Sequence, residues 1–436
     1  MTGLVQLRTT IESSLDSISS ERLGTITSEG QMFATAGWFR LMQRIDMSEL
    51  AHGSLELKFA VVAADGIPVS ICPVIRARGP NLLATYSFRR YYFDVWIEMV
   101  RGASNGFTKA ARRRADAASA YLRLLELTRC SLDDHLVVSN PFSYRAQVPV
   151  APDSPVPRRA IYTELVSALQ EYARDLNRPL SFVWVEGERN ELRGTLQQAG
   201  WQPVLAMYDN YIPLDNIASL DDYVATLNSK NRWGLRREIK RGLSSRIQIR
   251  VERDFARHSE TMSRLYRQTY LKHSSEILHQ PPAFWAAIAE YLGENAEALF
   301  ALDGDRIVGF SLLLRNERER ELWFYRIGRE YEEVDGSPYF WLAFYGVIQR
   351  AIESGCRTLW LGPGGYEAKL RRGAFQTPLE NWHWFPKRRD RWLLPRYLHR
   401  FGEAVPRVIE TDAKRPLRFQ AACGNRGSVQ PGCRDC

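Results

Sequence analysis

With 436 residues, 45% of them hydrophobic and 11% aromatic, the chain is too apolar to be disordered and long enough to bury the cores of two to three domains. Its net charge of +9 points to an anionic partner: nucleic acid, a nucleotide-bearing metabolite or an acidic membrane face. There is no run of about 18 uncharged apolar residues, and the opening MTGLVQLRTTIESSLDSISSER lacks a charged n-region followed by an apolar h-region, so no transmembrane segment is expected and the cytoplasm is the expected compartment.

Strands and helices alternate along the chain. LELKFAVVAADGIPVSICPVIRARG reads as a hairpin, because β-branched residues flank the turn signal Asp65-Gly66. Aromatic, strand-like LLATYSFRRYYFDVWIEM follows, then a helix from about Thr108 to Thr128 with Ala118, Tyr121, Leu122 and Leu125 at helical spacing. DHLVVSNPF is a strand, and a Pro-rich loop leads to the helix AIYTELVSALQEYARDLN, the strand LSFVWVEG, a short helix and a strand that returns through Gly200-Trp201. The second half repeats the plan: EALFALDGDRIVGFSLLLRNERERELWFYRIG gives three strands, YFWLAFYGVIQRAIESG a helix and CRTLWLGP a strand. EAKLRRGAF then gives a short helix ending in Gly, and TPLENWHWFP a closing strand. Two copies of one order indicate a duplicated α/β unit.

Between the copies, residues 229–242 read SKNRWGLRREIKRG, with six basic side chains and one acid, Glu238. Leu227, Leu235, Ile239 and Leu243 fall on one helical stripe and Lys230, Arg237 and Arg241 on another. A solvated helix normally intersperses acids at i,i+4. Here repulsion among the bases stands, which an anion held against the face would relieve, since guanidinium groups match phosphate oxygens in bidentate geometry. Arg232 and Arg236 are the first pair expected to bind it, with Lys230 and Lys240 beside them.

Pro363, Gly364 and Gly365 follow a predicted strand and precede a short helix, where open α/β folds leave a crevice beyond the carboxyl ends of their strands. The spacing is not that of a P-loop. Trp323, Tyr325 and Arg326 end the third strand of the second unit, and Tyr339, Trp341 and Tyr345 open its helix; most of these aromatics are expected in the core. Tyr325 and Tyr345 are the ones expected at a site, because a buried hydroxyl needs a polar partner. His273 and His279 have neither acid nor nucleophile arranged with them and are assigned to structure. Cys72, Cys130 and Cys356 read as buried reduced thiols. Cys423, Cys433 and Cys436 supply three thiols where a closed zinc site wants four ligands, so no metal is expected.

The hairpin ending in IVGFSLLL, the helix, the strand and the Gly-aromatic return are similar to the core of the GNAT acyltransferase fold. Two such units with KNRWGLRREIKRG opening the second resemble the FemABX family of peptidoglycan-type aminoacyltransferases, over residues 30 to 386. The family's motif residues correspond to Lys230, Arg232, Leu235 and Arg236, then Lys369 and Gly373, with Phe375 one place late. The resemblance implies an α/β (α+β) fold of two tandem GNAT-like units, each a mixed sheet flanked by helices: an N-terminal segment 1–29, units 30–214 and 215–390, and a basic, Cys-containing tail 391–436. It implies that Lys369 stabilises the oxyanion of acyl transfer; Tyr325 and Tyr345, singled out by their hydroxyls, are the other catalytic candidates. Lys230, Arg232, Arg236, Lys240, Arg326, Gly364 and Gly365 would bind substrate. The donor would be aminoacyl-tRNA, the acceptor an amine-bearing small molecule or peptide, and no metal or redox cofactor is needed. An acyl-CoA enzyme would carry an Arg/Gln-x-x-Gly-x-Gly/Ala turn for the pyrophosphate; the nearest match, RIVGFS at Arg306 to Ser311, lies inside a predicted strand and ends in Ser. A non-catalytic nucleic-acid-binding protein is the other class, but no helix-turn-helix partner accompanies the basic helix, and DNA is not expected.

Overall fold

A computed structural model of the chain describes residues 5–47, 54–79, 82, 86–94, 132–187, 191–243, 246–273, 280–331, 338–413 and 418. The predicted helix at 108–128, Cys130, His279 and the three C-terminal cysteines lie outside these residues.

The fold is mixed α/β. Twelve strands of the described residues form one sheet: β1 Leu7–Glu12, β2 Ser54–Ala64, β3 Ile67–Arg78, β4 Asp134–Val138, β5 Leu180–Glu186, β6 Gln202–Pro213, β7 Gln248–Glu252, β8 Ala296–Asp303, β9 Arg306–Asn316, β10 Glu321–Arg329, β11 Thr358–Pro363 and β12 Phe375–Trp384. Across the sheet they run β1-β2-β3-β4-β5-β12-β6-β11-β10-β9-β8-β7. The halves repeat one plan, since β4 pairs β5 in parallel as β10 pairs β11, and the other neighbours are antiparallel. They also trade their last strands. β6 leaves the first half to lie beside β11, β12 leaves the second to lie beside β5, and the two pair with each other from Phe375↔Tyr211 to His383↔Gln202. The tandem units therefore share a single sheet.

Helices cover both faces. Arg158–Asp175 buries Ile161, Leu165, Leu169 and Ala173, a stripe at i,i+4 spacing. Ser259–His273 packs over β9 and β10 and takes in His273, which the sequence placed in a loop, and Pro282–Leu292, the helix expected after that loop, packs on it and on β8. Arg388–Ala413 is a further helix where a tail was expected from 391. Its Leu394, Leu398, Phe401, Val405 and Val408 form one stripe that packs on Val204 and Tyr208 of β6 and on Phe88, Tyr92 and Phe93. Among the described residues no helix is long and apolar enough to cross a membrane.

Candidate active site

The site begins where β10 and β11 part. Their parallel pairing covers only Glu321–Trp323 against Thr358–Trp360. Beyond it β10 stays with β9 through a bulge at Phe324/Arg326, and β11 stays with β6 through a bulge at Trp360/Gly362. Gly362 sits at φ 74, a left-handed position that glycine takes without a Cβ penalty. Between the parted strands lies a cavity of about 230 Å³, lined by Phe324, Tyr325, Arg326 and Ile327 of β10, Leu361, Gly362 and Pro363 of β11, Tyr266, Thr269 and Tyr270 of the helix Ser259–His273, Tyr144 and Lys369.

Lys369, on the short helix Tyr366–Arg371, is buried, and its Nζ donates to the carbonyl oxygens of Gly362 at 2.8 Å and Pro363 at 3.2 Å. Burial lowers its pKa from 10.5 to about 7, against the pull of the Asp209 carboxylate. Asp209 is itself fully buried, its carboxyl pushed above the usual carboxylate range by burial and held back by Arg145 and Lys369. Arg145 Nη2 reaches Asp209 at 2.9 Å and its Nη1 reaches Glu186 at 2.6 Å.

Tyr325 and Arg326 meet Lys369 in the cavity wall. The Tyr325 hydroxyl donates to the Phe142 carbonyl at 2.8 Å, and burial keeps it neutral by raising its pKa well above the ordinary value. Arg326 donates to the carbonyls of Tyr325 at 2.9 Å and Phe142 at 3.2 Å and to the Tyr144 hydroxyl. Gly364 and Gly365, at φ 74 and 59, form the turn into the Lys369 helix, just past the cavity lining. Tyr345 stands apart from the cavity: it is fully buried, and its hydroxyl donates to Glu238 beside Arg372.

The basic helix, Ser229–Leu243, starts on the Asn228 side chain, which accepts from the Asn231 N–H at 3.0 Å. Leu227 and Leu235 are buried, Lys230, Arg236, Arg237 and Lys240 are exposed, and Arg232 is half-buried, donating to the Leu227 carbonyl at 3.0 Å. None of these basic side chains lines the cavity. Glu238, the acid that breaks the basic run, turns inward to the buried Arg372, so the outer face is left cationic. Trp233 is 67% exposed on that face, with the Arg237 guanidinium 5.6 Å from its ring.

Gly373 connects the two motifs. At φ 83, a Cβ there would lie 2.5 Å from Leu227 Cδ2, while the Tyr223 hydroxyl holds the carbonyl of Arg372. The Lys-x-x-x-Gly element and the foot of the basic helix are thus packed against each other, although more than a hundred residues of chain separate them.

Sequence reasoning missed Tyr144, Arg145, Asp209, Tyr266 and Tyr270. The first three belong to the first half of the chain, whose loop after β4 and exchanged strand β6 reach into the second; no local periodicity signals such an approach.

No curated protein sequence matches the chain. Among solved structures, FemX aligns with a TM-score of 0.50 at 10% identity, covering 84% of this chain and 96% of its own, a likeness of fold. A C-terminal domain described as that of a lysylphosphatidylglycerol synthetase from Agrobacterium fabrum aligns at 0.49 and 13% identity over 88% of this chain and 96% of its own. A tandem GNAT protein from the clavulanic acid biosynthesis pathway aligns at 0.44 and 12% identity over 88% and 99%. The FemAB-like family model, described as peptidoglycan biosynthesis/recognition, matches residues 134–419, which hold the cavity, the basic helix and both exchanged strands; the chain belongs to the FemAB-like family and is an acyltransferase.

Proposed function

We propose that the cavity between β10 and β11 passes an aminoacyl group from aminoacyl-tRNA to a primary amine, forming an amide. The observation that carries this reading is Lys369, a buried ammonium fixed by two carbonyls at the mouth of parted strands. As the amine nitrogen attacks the ester carbonyl, the C–N bond forms and negative charge collects on the carbonyl oxygen, where a preorganised cation in a dry site is most effective. Collapse then breaks the C–O bond, and the proton lost by the amine ends on the released hydroxyl. The ester is already activated, so alignment and charge stabilisation suffice, without a metal or redox cofactor.

Two observations favour tRNA over acyl-CoA. The one CoA-like turn, Arg306 to Ser311, lies within β9, between β8 and β10, where its backbone amides serve the sheet rather than a pyrophosphate. The outer face of the basic helix, with Lys230, Arg236 and Lys240 around exposed Trp233, offers phosphate contacts and a surface on which an unpaired base can stack. Arg232 would steady this face and the Gly364-Gly365 turn would let substrate backbone approach, in a catalytic unit spanning 215–390 that follows a first unit at 30–214. The acceptor is a cell-wall precursor or a specialised metabolite, and a tRNA donor fits the cytoplasm. The test is donor consumption by the pure protein given mixed charged tRNAs or acyl-CoAs with a pool of amines. Loss of aminoacyl ester with amide formation is expected. Micromolar binding and consumption of acetyl-CoA instead would overturn the tRNA reading.

A further inference from the structure

The described residues bury three arginines, Arg145, Arg326 and Arg372. Arg145 is paired with Asp209 and Glu186, and Arg372 with Glu238. Arg326, the one that lines the cavity, is paired with no carboxylate among the described residues. Its hydrogen bonds go to two neutral carbonyls and to the hydroxyls of Tyr144 and Tyr266, its Nε has no partner, and the Tyr325 ring lies 4.0 Å from the guanidinium carbon. A buried cation without a counter-charge is costly, and neutral acceptors offset that cost only in part. Among the described residues the cavity lining adds Lys369, Tyr144, Tyr266, Tyr270 and Thr269, but no acid. At about 230 Å³ it holds the equivalent of about eight waters at about 30 Å³ each, the room an amino-acid-sized group needs.

We propose that Arg326 is a carboxylate subsite, so that the group bound beside Lys369 is amino-acid-sized and carries a free carboxylate. This deepens the transfer reading above and rests on it for the identity of the site. The carboxylate has two possible sources: the α-carboxylate of an amine acceptor, or the side-chain carboxylate of an acidic aminoacyl group on the donor. In either case Arg326, stacked on Tyr325 and with Nη1 given to the Tyr325 carbonyl and the Tyr144 hydroxyl, has its unpartnered Nε–H and the Nη2 beside it to offer, an edge that a lysine could not present.

The test is calorimetric binding of a panel of free amino acids and their α-carboxamides, which reads the subsite without any transfer step. Acids that bind about tenfold or more tighter than the amides of the same carboxylate, either the α-carboxamides or, for glutamate and aspartate, glutamine and asparagine, are expected, with the preference falling toward unity in Arg326→Gln. If tight binding survives α-amidation only for glutamate and aspartate, the carboxylate belongs to the donor's side chain; if it is lost on α-amidation, it belongs to the acceptor. Should Arg326→Gln fail to fold, Arg326→Lys serves, because it keeps the charge, loses the fork and should weaken the preference. Neutral amino acids whose amides bind like the acids while glutamate and aspartate bind no tighter than glutamine and asparagine, no binding across the panel, or a preference unchanged in the variants would overturn the subsite. None of these results bears on Lys369, whose role is read from transfer rates.

Discussion

Lys369 carries two separable consequences at the scale of one residue. Folded, it releases its proton near pH 7; unfolded, it does so near 10.5. Between those values the unfolded chain binds the extra proton, so raising the pH stabilises the folded state: the penalty of burying the lysine is felt in full below about 7 and fades toward 10.5. Urea midpoints taken from pH 7 to 9.5 should therefore rise more in the wild type than in Lys369→Met; parallel curves would mean that the lysine is not buried as a strained cation. If it works as an ammonium, transfer should also lose rate as pH rises through about 7, and this descending limb should vanish in the variant. Lys369, Tyr325 and Arg326 were legible in the sequence because the short helix and the strand end were. Tyr144, Asp209 and Arg145 were not, since each acts at a distance that only the fold closes.

At the scale of an element, the basic helix shows how one acid is spent. The spacing separated an apolar from a cationic stripe, and Glu238 read as the one acid of the run, leaving the repulsion among the bases standing. The structure points it inward, where it accepts from Tyr345 and Arg372. Glu238→Gln leaves Arg372 buried without its counter-charge and should cost about 1–3 kcal/mol in urea unfolding. Adding Arg372→Met should recover part of that loss, whereas additive losses would mean that the two do not act as a pair. On the outer face, changing Lys230, Arg236 and Lys240 together to Gln should spare the fold and weaken tRNA binding. The salt slope should fall by about 0.7 for each single-strand phosphate that the helix no longer neutralises, and an unchanged slope would leave this face a solvated surface. Elsewhere the Asp65-Gly66 hairpin was plain from its turn residues. The C-terminal helix was hidden because Pro395, Pro406 and a run of arginines obscure its apolar stripe.

At the scale of the whole molecule, the duplicated order was readable and the exchange of closing strands was not. β6 and β12 have the same local pattern whether they close their own unit or the other one, and only the pairing partners differ. The exchange ties the halves together, because separating them leaves β6 and β12 without any neighbour and β5 and β11 with one each. Scanning calorimetry should accordingly give one cooperative transition, and two well-resolved transitions would contradict the shared sheet. The same exchange brings Asp209 of β6 beside Lys369, so the candidate site draws on both halves. The central claim, that Lys369 stabilises the oxyanion of acyl transfer, is tested most directly by steady-state kinetics of Lys369→Met, which keeps the stem and removes the charge. Both kcat and kcat/KM should fall by about 10² to 10³-fold with KM nearly unchanged; a folded variant with wild-type kcat would contradict this role for Lys369.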